Sequence, residues 1–136
     1  MIQRRRSKSG PPRPTEAELA ILNALWDMGP STVRCVHDSM GDRDIGYTTI
    51  LKLLQIMHRK GLVRRDDSQR AHIYEPAHSR DHVQEQLTRD LVQRAFDGSA
   101  SQLVLHALGN NPSTSPEELR AIRKLLSRLE AEEAPQ

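Results

Sequence analysis

Cys35 is the only cysteine in 136 residues, so no internal disulfide can form and a cysteine-based metal site lacks ligands. Aromatic residues are nearly as scarce, with one Trp, two Tyr and one Phe. A core must then be assembled from Leu, Ile and Val, which favours packed helices over a large β-sandwich. No run approaches the roughly 20 apolar residues of a membrane span, so direct membrane insertion is not expected. The first residues are basic but lead into Gly10-Pro11-Pro12 rather than an apolar stretch, unlike a secretory signal. A Gly-rich phosphate loop, a nucleophile elbow and an HExxH pair are all missing. His78 and His82 have i, i+4 spacing, but Ser79 is placed to cap the next helix, which leaves His78 outside it, and no cysteine or acidic cluster completes a metal set. The chain is therefore not expected to be an enzyme or to hold a cofactor or metal, and a reducing cytoplasm is the expected compartment. Cys35, between the inward-facing Val33 and Val36, is expected to be semi-buried filler.

Charge is present but unevenly spread. Residues 1–76 carry 13 Lys and Arg against 9 Asp and Glu, a net +4, whereas residues 77–136 carry 7 against 9, a net −2. A basic half followed by an acidic half is the asymmetry of a nucleic-acid-binding domain joined to a protein-contact domain. Residues 1–14, MIQRRRSKSGPPRP, hold five positive charges, no acid and three prolines. Such a segment cannot bury enough apolar surface to fold and reads as a disordered basic arm, either lying along DNA or serving only as a solubilising tail.

The central feature is the stretch from Ile45 to Gly61. On a helix, Ile50, Leu53, Leu54 and Met57 fall at i, i+3, i+4 and i+7, the spacing of a stripe that faces a core. Thr48, Lys52, Gln55 and Arg59 fall on the opposite face. None is acidic and each can donate a hydrogen bond to a phosphate or a base edge. Gly61 is placed to end the helix in a left-handed conformation.

Around this helix the order is regular. Thr15 and Glu18 form a capping-box pattern ahead of Leu19, Ile21, Leu22, Leu25 and Trp26, and Gly29-Pro30 stops that first helix. Ser31 or Thr32 caps a short second helix with Val33, Val36 and Met40 inward, and Gly41 to Gly46 is the turn into the third. After Gly61 the period changes to that of two short strands, Leu62–Asp66 and Ala71–Glu75, joined by a polar turn. This is a helix-turn-helix followed by a wing, with Arg64, Arg65, Arg70 and His72 on the wing where they could straddle a phosphate backbone.

Beyond Pro76, three amphipathic helices are expected. Val83, Leu87, Leu91, Val92, Ala95 and Phe96 supply the apolar side of the first, and Leu103, Val104, Leu105 and Leu108 that of the second. Ser115-Pro116-Glu117-Glu118 opens the third, on which Leu119, Ile122, Leu126 and Leu129 make a heptad-like seam. These helices have too few residues to enclose a core, so their stripes are expected to pair with a second copy.

The segments PTEAELAILNALWDMGPSTVRCVHDSM and GYTTILKLLQIMHRKGLVRRDDSQRAHIYEP, then LVQRAFDGSASQLVLHAL and SPEELRAIRKLLSRLE, resemble the BlaI/MecI/CopY family of bacterial penicillinase and copper repressors over roughly residues 14–130. The resemblance implies a mainly α fold with a small β-hairpin: a winged helix-turn-helix domain at 15–77 after the arm at 1–14, and a helical dimerisation domain at 78–136. It implies a homodimer on a pseudo-palindromic double-stranded DNA operator, typically a TACA…TGTA dyad, acting as a transcriptional repressor. Thr48 and Thr49 take the positions that contact bases or phosphates, with Leu51 and Lys52 beside them. Thr32, Arg34, Tyr47, Gln55, Arg59 and the wing residues Arg64, Arg65, Arg70 and His72 complete the expected DNA face. Several relatives carry a basic residue where Thr48 and Leu51 stand, which points to an apolar contact here. Leu87, Leu91, Phe96, Leu103, Val104, Leu108, Leu119, Ile122, Leu126 and Leu129 are the expected dimer residues.

Antibiotic-responsive members are released by cleavage at an Asn-Phe bond after an LVL run, triggered by a membrane-bound metallopeptidase sensor. Here that run leads into His106-Ala107, so the candidate bond departs from the pattern. The copper branch uses a C-terminal cysteine cluster that this chain lacks. The competing expectation is a winged-helix adaptor that holds a protein partner and does not bind DNA.

Overall fold

The computed structural model of the chain describes residues 12–41, 44–110 and 113–133. Most of the basic arm, part of the turn before the third helix and part of the loop after Gly109 therefore lie outside the described residues. The order is α1 (Glu16–Met28), α2 (Val33–Ser39), α3 (Tyr47–Lys60), β1 (Val63–Asp66), β2 (Ile73–Pro76), α4 (Arg80–Ala95), α5 (Ala100–Gly109) and α6 (Pro116–Glu133). It is a mainly helical winged-helix fold with one antiparallel hairpin.

Local chemistry sets the helix boundaries. The Thr15 hydroxyl accepts from the Glu18 amide, and the Glu18 carboxylate accepts from the Thr15 amide, closing a capping box at the start of α1. Gly29 and Gly61, at φ 89° and 85°, end α1 and α3 in backbone that only glycine adopts without strain. Thr32 caps α2 and Ser79 the first turn of α4. Ser115 and Glu118 repeat the capping box before α6.

The chain divides into two compact units, Met1–Asp90 and Leu91–Gln136. In the first, Ile21, Leu22, Leu25, Val36, Ile50, Leu54, Met57, Leu62, Val63 and Tyr74 are all but sealed from solvent, with Val33 and Met40 beside them. Each fully buried aliphatic side chain contributes about 1.5–3 kcal/mol relative to exposure. Leu19, Leu53 and Trp26 are only half-buried, and the centre of the buried face of α1 is instead Ile21, Leu22 and Leu25 together with Glu18. Cys35 is exposed, contrary to expectation. Val33 and Val36 are three residues apart and share a face, and the position between them projects from the other side.

The first strand begins one residue and the second two residues later than their composition suggests, pairing Val63 with Pro76, Arg64 with Glu75, Arg65 with Tyr74 and Asp66 with Ile73. Tyr74 also bridges to Ser31 through two backbone hydrogen bonds of 2.8 and 2.9 Å, which ties the wing to the turn between α1 and α2. The boundary between the two compact units falls inside α4. Residues beyond Pro76 are fastened to α1: the Trp26 indole donates to the His78 carbonyl, and Arg80 pairs with Asp27 and covers the Trp26 ring. Val83 is buried.

In the second unit none of the described residues is buried. Leu105 is 64% exposed, and Leu91, Val104, Leu119, Leu125, Leu126 and Leu129 lie between 39% and 49%. Asp97 and Gly98, both at positive φ, make the sharp turn between α4 and α5, where Ser99 caps.

Candidate nucleic-acid interface

The outer face of α3 is formed by Thr48, Lys52, Gln55 and Arg59, all exposed, while Ile50, Leu54 and Met57 anchor the other side in the core. The helix has no acidic residue. Its N-cap is Gly46, which offers no side chain, and among the described residues no side-chain cap bonds the amides of the first turn at the positive end of the helix dipole. Beside that end, Thr32, Val33, Arg34, Tyr47, Leu51, Arg70, Ala71, His72 and Tyr74 line one open hollow of about 420 Å³. Three separate expectations, the start of α2, the start of α3 and the wing, thus meet at one place. The Arg34 guanidinium lies 5.8 Å over the Tyr47 ring, and His37 meets that ring edge-on at 6.0 Å.

The wing cations differ in how far they are already neutralised. Alternation along β1 puts Arg64 and Arg65 on opposite faces of the hairpin. Arg64 pairs with Glu75 across the strands at 3.1 Å and also donates to the Ala77 carbonyl. Arg65 is paired with Asp67, its Nη2 donating to one carboxylate oxygen at 3.3 Å and its Nε lying 2.7 Å from the other, and the neighbouring Tyr74 and Asp67 favour its charged form. The same oxygen lies 3.6 Å from His72 Nε2. Asp66 accepts from the Ser68 amide and shapes the turn, and the Ser68 side chain and amide together hold its carboxyl below the ordinary value. Around α3 and the wing, Arg34, Lys52, Arg59 and Arg70 are in none of the ion pairs among the described residues, unlike Arg64 and Arg65.

One functional feature has no local sequence signal. Glu18, 3% exposed at its side chain, receives Lys60 Nζ at 2.7 Å on the oxygen that also accepts the Thr15 amide. Burial alone would raise this carboxyl, but Lys60 and the Thr15 contacts outweigh it and hold it below its ordinary value. The start of α1 is thereby locked to the end of the helix that carries the candidate contacts, 42 residues away in sequence.

The sequence profile of the penicillinase repressor family matches residues 14–128. The chain belongs to that family. It is 35% identical over 119 residues to the protein named transcriptional regulator BlaI in two strains of Mycobacterium tuberculosis, an alignment spanning 85% of this chain and 84% of the relative. Among solved structures it is similar to the Bacillus licheniformis BlaI monomeric form in complex with the blaP half-operator, at TM-score 0.46 and 19% identity, covering 52% of this chain and 88% of that one. It is also similar to a MarR family protein from Bacillus stearothermophilus, at TM-score 0.45 and 23% identity, covering 88% of this chain and 74% of that one.

The remaining expected residues of this penicillinase repressor family member are placed as follows. Thr49 is exposed in the first turn of α3. Leu87, Phe96, Leu103, Leu108 and Ile122 are half-buried, and Leu91, Val104, Leu119, Leu126 and Leu129 are exposed. The His106–Ala107 bond lies within α5, with the His106 ring 5.4 Å from that of Phe96. No helix among the described residues is long and apolar enough to cross a membrane.

Proposed function

We propose that this chain is a DNA-binding transcriptional repressor that acts as a homodimer on a pseudo-palindromic operator. The observation that carries the reading is the α3 face: hydrogen-bond donors without an acid, a first turn without a side-chain cap, and cations without ion-pair partners around it. Thr48, Thr49, Lys52 and Gln55 address the major groove. Arg34, Arg59 and Arg70 take phosphates, with Thr32, Tyr47 and Leu51 alongside. Arg64, Arg65 and His72, already engaged with carboxylates, contribute mainly by holding the wing in shape. Repression is steric, since a protein seated on the operator excludes polymerase.

The homodimer reading rests on the apolar residues that the second unit leaves in solvent, the α6 seam of Leu119, Ile122, Leu126 and Leu129 foremost. Dimerisation fixes two half-sites about one helical turn apart. Release by proteolysis linked to a membrane-bound metallopeptidase sensor is the finer part of this reading. It requires α5 to unwind, because a protease binds extended backbone and the His106–Ala107 bond is helical.

The test is binding to a TACA…TGTA dyad duplex and to a scrambled duplex at two salt concentrations. A preference of about 10³-fold or more that survives the higher salt is expected. Equal binding that vanishes with salt would leave only a basic surface, unless selection from random DNA recovers another operator. No binding to any duplex would favour the adaptor.

A further inference from the structure

The start of α3 carries an apolar patch that hydrogen bonding and phosphate contact do not use. Tyr47 and Leu51 stand one turn apart on the helix, and with Val33, Ala71 and Tyr74 they line the hollow whose other walls are Thr32, Arg34, Arg70 and His72. Tyr47 is 42% exposed and Leu51 half-buried, so both present carbon surface to whatever enters the hollow. None of the lining residues is acidic. The Arg34 guanidinium above the Tyr47 ring and the His37 ring at its edge hold this aromatic in place in the free protein.

Cations around an apolar floor set the chemistry of the occupant. The cations suit a phosphate backbone, and the floor needs an apolar group carried by the same molecule. In the major groove every base pair offers donors and acceptors, but the C5 methyl of thymine is the one apolar group exposed there. Resting on the DNA-binding reading above, we infer that Tyr47 and Leu51 form a seat for a thymine methyl and are specificity-determining residues. Discrimination at this position of the half-site then comes from shape and desolvation, not from a hydrogen bond.

The experiment replaces thymines of the bound duplex one at a time by deoxyuridine, which removes the methyl and keeps every hydrogen-bonding group. The duplex is the TACA…TGTA dyad, or the sequence recovered by selection if that dyad fails. One thymine in each half-site is expected to show a loss of about fourfold, the equivalent of burying one methyl group, with the others within about twofold. In Leu51→Ala that sensitivity disappears, and in Leu51→Met it is retained. Tyr47→Ala serves the same purpose should Leu51→Ala fail to fold. Sequence-specific binding that ignores every deoxyuridine would overturn the inference and leave the DNA reading standing. So would a thymine preference that survives both alanine variants. Failure to bind any duplex would remove the DNA reading and this assignment together.

Discussion

The two units of the chain use the same leucine-rich, aromatic-poor alphabet and reach opposite ends of the burial scale. In Met1–Asp90 the apolar stripes of α1, α2 and α3 face one another and are closed by Leu62, Val63 and Tyr74 of the hairpin, so the core is complete within one chain. In Leu91–Gln136, α5 and α6 carry stripes of comparable strength, yet none of the described residues is buried and several leucines are more than two-fifths exposed. The difference is one of geometry, not composition. A hairpin and three crossing helices enclose a volume, whereas a few helices with one stripe each leave apolar surface that a second chain can cover. The first unit is thus expected to owe its stability to itself, and the second to an assembly.

The largest expected effect tests the first half of this contrast. Ile21→Ala should lower folding stability by about 2–5 kcal/mol in chemical denaturation. Leu126→Ala should cost under about 1 kcal/mol when the protein is dilute enough to be monomeric. Equal, concentration-independent losses would break the comparison. Next, Leu126→Glu combined with Leu129→Glu should yield a monomer in sedimentation and weaken operator binding by about 10²-fold through lost effective concentration, with the first unit still folded. A dimer that survives both charges would place its interface elsewhere.

Within the first unit, Lys52→Ala should cost about 1–3 kcal/mol on the operator and little on random DNA. Arg70→Ala should weaken binding to all sequences and lower the salt slope by about 1. Equal losses on both duplexes for both variants would sink that division. The smallest effect concerns Glu18. Its folded pKa is depressed, so its contribution is complete above the ordinary carboxylate value near 4.5 and is lost as pH falls through the lower folded value. Glu18→Gln should cost about 1 kcal/mol near neutral pH, since Lys60 remains partly hydrated, and should flatten the acid limb of the stability profile. An unchanged acid limb would show that the pair does not set it.

What could be read from sequence was what is local. Thr15 with Glu18 and Ser115 with Glu118 announce helix starts because the two partners of a capping box are three residues apart. Gly61 announces an end because its conformation is its own. The donor face of α3 followed from a single helical period. The Glu18–Lys60 pair joins positions 42 residues apart, and only the packing of α1 on α3 brings them together. The neutralisation of Arg64 depends on strand register, which sets Glu75 opposite it. The unit boundary inside α4 reflects contacts of His78 and Arg80 with α1 that no periodicity encodes.

Gly46 leaves the first turn of α3 chemically unfinished. No side chain caps its amides, and Ile50, bonded to the Gly46 carbonyl, is the first residue fastened into the helical ladder. An acceptor arriving at this end completes a piece of secondary structure as it binds. The amide protons of Tyr47, Thr48 and Thr49 should therefore exchange with solvent quickly in the free protein and slowly once the end is occupied, so that the helix tip works as a built-in reporter of its own ligand.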